Sequence, residues 1–208
     1  ESILGTGGSY GSVNGNVTIN VSGNATVAGI IAAGASRTGD FGVKSTYVNI
    51  SGGTLNGDVY AGGLKNSTVT ENTNVMISGG VVNGDIYGGG AVDTVVRGDS
   101  NVTIRGDAAI AGSINGGGLN GGTVEGSRIL NIGHIVAYTG TDTLNVRDFD
   151  VINVNSSSAK IKDLSMDGVK VGDSRLISML GSTAFLELTG SASLSGNTFA
   201  NTQATGKL

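Results

Sequence analysis

The sequence predicts an all-β chain wound as a right-handed parallel β-helix, a solenoid of about 27 residues per coil, and three observations lead there. The first is a repeat. "YVNISGGTLNGDVYAGG", starting at Tyr47, returns as "NVMISGGVVNGDIYGGG" from Asn74 and as "NVTIRGDAAIAGSINGGG" from Asn101, which sets Ile50, Ile77 and Ile104 27 residues apart. "ILNIG" at 129–133 opens a further copy with Ile132 28 residues on, and "NVSGNATVAGIIAAG" at 20–34 is a weaker earlier copy. A fixed period of this length marks a solenoid, whose single units are too small to bury their own apolar faces. The second observation is apolar alternation with period two inside each copy, with no capped stretch of helical periodicity. The third is composition. Glycine makes up 38 of 208 residues, more than twice the usual ~7 %, and proline and cysteine are absent. Glycine and asparagine between short β-branched runs read as tight bends between short strands.

Each copy has the same order of elements. A first strand carries Val48-Asn49-Ile50, or Val75-Met76-Ile77 one coil on. A Ser-Gly-Gly corner follows, then one apolar residue (Leu55, Val82) and an Asn-Gly-Asp corner. A second strand holds Val59-Tyr60 or Ile86-Tyr87, and a glycine-rich bend leads to a third β-rich piece, "NSTVTEN" or "DTVVRGDS". Stacked coils lie about 4.8 Å apart, which places Val48 and Ile50 against Val75 and Ile77, and these against Val102 and Ile104. Each buried Val or Ile contributes roughly 1.5–3 kcal/mol, so a core forms without large aromatics. Asn56 and Asn83 recur at one corner, where their amides are expected to hydrogen-bond along the axis. Parallel crossovers are overwhelmingly right-handed, which sets the expected hand. Residues 1–132 hold the regular repeats. Residues 133–208 lose the glycine corners but keep short alternating strands, and they read as an irregular continuation of a single elongated domain. Whether those strands form coils or hairpins is open from the sequence.

Composition also excludes function classes. A net charge of −4 lacks the clustered Lys and Arg that a nucleic-acid surface needs. The longest apolar stretch, Val27 to Ala33, falls far short of the ~18 residues of a transmembrane helix. Without cysteine there is no disulfide, thiol chemistry or zinc–thiolate centre. No cofactor or metal site is expected, since the calcium-binding pattern Gly-Gly-x-Gly-x-Asp-x-apolar-x is not met.

"VNISGGTLNGDVYAGG" and "VMISGGVVNGDIYGGG", followed by "ILNIG", "AYTG" and "LNVRDFDVINVNSSS", resemble passenger regions of Gram-negative autotransporter adhesins over roughly residues 15–160. The resemblance implies a right-handed parallel β-helix carried to the cell surface by a membrane barrel elsewhere in the full-length protein, making this chain a passenger fragment. It implies adhesion, autoaggregation or biofilm formation, with a host-cell or bacterial surface ligand as partner: a glycan, or like molecules on neighbouring cells. It carries no catalytic signature. A carbohydrate-active β-helix enzyme and an inert stalk are the alternatives.

Five residues stand out as ligand-binding candidates. "RGDSNVTIRGD" contains Arg97-Gly98-Asp99 and Arg105-Gly106-Asp107, a tripeptide that many adhesive ligands present to receptors. The first aligns with the bend leading into a coil's first strand and the second with the bend leaving it, slots that other copies fill without Arg-Gly-Asp. Turn chemistry is therefore the expected role of both, with receptor contact through Arg97, Gly98 and Asp99 as the functional alternative. Tyr60 and Tyr87 align beside inward Val59 and Ile86 and are expected to face outward, as an aromatic ladder or a sugar platform. Asp58 and Asp85 recur at one corner and are expected to satisfy backbone N–H groups at their own bends, with cation binding by the stacked carboxylates as the alternative. Asp148 and Asp150, two apart on one strand face, are the one carboxylate pair suggestive of acid–base chemistry. His134 has no evident partner and reads as a strand-surface residue.

Overall fold

The computed structural model describes residues 1–6, 13–34, 43–135, 144–166, 175–180, 182–190 and 197–201. Among them there is no helix, and every strand pair is parallel. The chain is a β-solenoid in which residues about 27 apart lie side by side.

The backbone of the solenoid is a long ladder formed by strands Gly15–Val21, Val43–Leu55, Thr73–Val82, Ser100–Gly106, Arg128–Ile135, Val151–Val154, Arg175–Met179 and Asn197–Asn201. Its register makes two inward columns. One runs Ile19, Val48, Val75, Val102, Leu130, Ile152, Ile177, and the other runs Val21, Ile50, Ile77, Ile104, Ile132, Val154, Met179. All fourteen side chains are buried. The expected alignment of Ile50, Ile77 and Ile104 is therefore direct strand pairing.

A second ladder, closing the coil, is an eight-stranded sheet that begins with Ile3–Leu4, Ile31–Ala32, Val59–Tyr60 and Ile86–Tyr87. Its inward column is Ile3, Ile31, Val59, Ile86, Ile114, Val146. Between the two ladders Val27, Leu55, Val82 and Ile110 align at one edge. Val43, Val69, Val96 and Val124 align at the other. The short strands Thr68–Val69, Val95–Val96 and Thr123–Val124 of this last column are the third β-rich piece of each repeat.

The Ser-Gly-Gly corner differs from expectation. Strand Val43–Leu55 runs through Ser51-Gly52-Gly53, and the pairing with Thr73–Val82 shifts register there without ending. The chain bends by a bulge, which redirects a strand while keeping its ladder. Gly53 and Gly80 take φ of 86° and 82° at this point, a region costly for residues with a Cβ. At the following corner coils touch through bare backbone: a Cβ on Gly84 would lie 2.4 Å from the carbonyl of Gly57.

Beyond Ile132 the coils shorten. Asn131 and Asn153 are adjacent rungs separated by only 22 residues. The strands Arg175–Met179 and Leu186–Thr189 belong to different ladders, so they are successive edges of a coil and not a hairpin. No helix among the described residues is long and apolar enough to cross a membrane.

Candidate functional site

The corner that bears the Asn-Gly-Asp repeat is built by hydrogen bonds running along the solenoid. Asn83 Nδ2 donates to Asn56 Oδ1 at 2.8 Å, the amide ladder expected at this position. The Asp85 backbone N–H donates to Asp58 Oδ1 at 2.9 Å, and the Ser113 N–H to Asp85 Oδ1 at 2.7 Å. Each carboxylate thus satisfies the N–H of the next coil, not one in its own bend, and the second oxygen of each accepts a tyrosine hydroxyl. Tyr60 Oη donates to Asp58 at 3.1 Å and Tyr87 Oη to Asp85 at 3.3 Å.

Tyr60 and Tyr87 stack, with ring centroids 5.0 Å apart and planes 8° from parallel. They point away from the main core, but they are not exposed: 6 % and 8 % of their surface is accessible. The glycine-rich excursions fold back over the sheet, and Ala32, Ala91, Ile30, Leu64 and Leu119 close a second small core around the rings. The expectation of outward, accessible tyrosines is corrected on this point, because a ring face covered by apolar side chains cannot serve as a sugar platform. Asn66, Asp93 and Asn120, at the tips of these excursions, take φ of 45°, 52° and 48°, a left-handed conformation that Asn and Asp tolerate.

Burial, then the Asp58 charge and hydrogen bond, push the Tyr60 hydroxyl above its ordinary pKa; burial, then the Asp85 charge, does the same for Tyr87. Both groups therefore keep their protons in the folded state where an unfolded tyrosine, with a pKa near 10, loses them. Stability is full below about pH 10 and falls as pH rises above it, since the unfolded chain then binds fewer protons than the native one. A melting temperature followed from pH 9 to pH 12 is expected to drop, and to drop less in the Tyr60→Phe/Tyr87→Phe variant. Equal slopes would count against the two buried hydroxyls as the cause.

The first Arg-Gly-Asp lies in a bend that is part of the ladder. The Asp99 N–H donates to Asn72 Oδ1 and Asp99 Oδ1 accepts the Ser127 N–H, both at 2.8 Å. A Cβ on Gly98 would meet the Asn72 side chain at 2.3 Å and the Glu71 carbonyl at 2.7 Å. Arg97 is exposed, while Gly98 and Asp99 are half-buried. In the second copy Gly106 has φ of 66° and ends strand Ser100–Gly106, with Asp107 in the turn beyond. Both copies thus sit at bends.

Asp148 and Asp150 lie in the bend between Leu144–Arg147 and Val151–Val154, not on a strand. They do not form a free carboxylate pair, because Arg128 bridges them. Its Nε donates to Asp150 Oδ2 at 2.9 Å, its two terminal nitrogens contact Asp150 Oδ1 and Asp148 Oδ1, and its backbone N–H also donates to Asp150. The side chains of Arg128 and Asp150 are 10 % and 7 % exposed. Burial alone disfavours the guanidinium charge, but the hydrogen bond to Asp150 and the two carboxylate charges outweigh it and hold the pKa of Arg128 above its ordinary value. Arg128 stands in register with Thr46, Thr73 and Ser100. The hydroxyls of Thr73 and Ser100 donate to the carbonyls of Gly88 and Gly116. Where the glycine excursion is replaced by the short bend 148–150, the longer Arg128 fills the same role. His134 is exposed on strand Arg128–Ile135. Among the described residues no group of three or more His, Cys, Asp or Glu side chains is placed to hold a metal.

The outward face of the long ladder holds residues that no motif in the sequence singles out. Thr18, Tyr47, Asn74 and Asn101 form one column, and Asn20, Asn49, Met76 and Thr103 the next. Tyr47 is 36 % exposed. Its signal is present in the alternation, since it precedes inward Val48, but no other copy has an aromatic there.

Fold and geometry together define the chain as a parallel β-solenoid whose corners are joined from coil to coil by polar side chains such as Asn56, Asp58, Asn72, Asp85 and Asp99. No family profile matches it, and neither does any curated protein or solved structure.

Proposed function

We propose that this chain is a passenger-type segment of an exported bacterial surface protein, working as an adhesin through an extended side face. The repeat style supports this reading by its resemblance to autotransporter adhesin passengers. The observation that carries it is the continuous pairing of the long ladder, which presents side chains in straight columns over many coils. Such columns suit attachment through many weak contacts along a surface, where avidity replaces a deep pocket. The carboxylates that suggested an enzyme, Asp148 and Asp150, are bound by Arg128, which weakens the alternative of glycan cleavage.

The test is display of residues 1–208 on a non-aggregating Gram-negative host, with settling and attachment to cultured cells measured. Clumping or attachment above an empty-display control is expected. It should persist in Arg97→Ala, because the Asp99 turn is independent of that side chain. Full-density display of the folded chain with neither behaviour would count against the adhesin and favour the stalk.

A further inference from the structure

The outward face of the long ladder differs from the rest of the surface in three ways. First, its two central columns are uncharged: over four successive rungs they contain Thr, Tyr, Asn and Met only, with the exposed Lys44 and Arg105 standing on the same strands outside them, in a chain with 12 basic and 16 acidic side chains. Second, it carries the exposed aromatic ring of Tyr47, flanked across the strands by Thr18 and Asn74. Third, its amides are half-used. Asn49 Nδ2 donates to Asn20 Oδ1 at 2.9 Å, and Asn74 Nδ2 donates to the Thr46 carbonyl at 3.1 Å. This leaves the Asn20 amino group as a donor and the Asn49 and Asn74 oxygens as acceptors at the surface.

We propose that this face binds a neutral polysaccharide, with Tyr47 as the stacking platform for one pyranose ring and the Asn20, Asn49 and Asn74 amides as its hydrogen-bonding rim. The chemistry of the two sides matches. A pyranose presents an apolar C–H face to an aromatic ring and, around its edge, hydroxyls that donate and accept. A tyrosine offers an apolar ring face with a polar end. Neither column offers a cation to a uronic-acid or sulfated chain, and Lys44 and Arg105 stand outside the two columns, so a neutral chain matches the rungs themselves. Neighbouring strands are about 4.8 Å apart, close to the advance of an extended β-linked sugar chain per residue. A glycan lying along the solenoid axis therefore meets one rung per sugar, with Asn101 and Thr103 continuing the row. The inference names the ligand class and face of the adhesin reading above, and it moves the aromatic site from buried Tyr60 and Tyr87 to Tyr47.

The purified 208-residue chain is to be titrated with cello-, xylo- and chito-oligosaccharides of two to six residues, and with hyaluronan and heparin fragments as charged probes. Binding of at least one neutral series is expected, tightening with chain length over the first four sugars. It should weaken at least tenfold in Tyr47→Ala and in Met76→Glu, while Val81→Ala, an exposed side chain on another edge, is unchanged. Circular dichroism confirms that the variants fold. Because Tyr47→Ala and Met76→Glu alter the face differently, failure of one variant to fold leaves the other as the test. The proposal is overturned if no neutral series binds at millimolar concentration, if only charged fragments bind, or if both face variants bind like the parent. It is also overturned if the face joins two copies of the chain, seen as a dimer that Tyr47→Ala dissociates, with no glycan retained. Glycan binding in solution without cell attachment would sink the adhesin reading alone. Attachment that survives both face variants would sink the glycan face alone.

Discussion

Replacing Arg128 with alanine is expected to destabilise the protein by about 3–5 kcal/mol, the range for removing one partner of a buried ion pair. The guanidinium closes the step where the coil contracts, and it is the shared partner of two carboxylates. Alanine takes the guanidinium away from Asp150, whose carboxylate is enclosed, and it opens space beside Phe149, which is fully buried. The expected cost comes chiefly from keeping a carboxylate enclosed without its guanidinium, more than from the lost attraction. That distinction is testable. Changing both partners, Arg128→Leu with Asp150→Leu, is expected to recover most of the loss, because apolar replacement of a whole buried pair is often neutral. Urea unfolding of the single and double variants decides it. A single variant within about 1 kcal/mol of the parent would mean that water reaches Asp150 readily.

Ile77→Ala is expected to cost about 2–5 kcal/mol, the loss of a fully buried aliphatic side chain plus the cavity it leaves. Ile77 is inaccessible to solvent and sits between Ile50 and Ile104 in the inward column. A solenoid coil touches only its neighbours, so the damage should remain local. Amide exchange is expected to quicken in Val43–Leu55 and Ser100–Gly106, the two strands paired with Thr73–Val82, and much less in Val151–Val154. Met76→Ala, one residue away on the outward face, is the control and should change stability by well under about 1 kcal/mol. Uniform acceleration over all strands would show instead that the coils unfold as one unit.

The columns are legible in the sequence because a constant spacing puts like residues on like rungs. Ile50, Ile77 and Ile104 stack from their numbers alone, and so does Asn56 over Asn83. What the sequence hides depends on contacts that the period does not encode. Tyr60 and Tyr87 alternate outward as any strand residue beside Val59 and Ile86 must. Their cover comes from Leu64, Ala91 and Leu119, in excursions whose return over the sheet leaves no mark on strand alternation. Arg128 gives no signal of its role because its partners lie 20 and 22 residues on, where the chain abandons its period. Without it, Asp148 and Asp150 look like a lone pair. The position of the Ser-Gly-Gly corner follows from the repeat, but whether a glycine bend breaks a ladder or bulges it depends on the neighbouring coil.

The hydrogen bonds that join the coils point along the axis, and this sets how the molecule answers a pull. Tension between its two ends loads the last rung first, so the rod gives way by peeling, one loop of chain at a time. Each loop of about 27 residues releases roughly 90 Å of extended chain at about 3.3–3.6 Å per residue. Extension under load is therefore expected to be stepwise, one coil after another, without a single collapse.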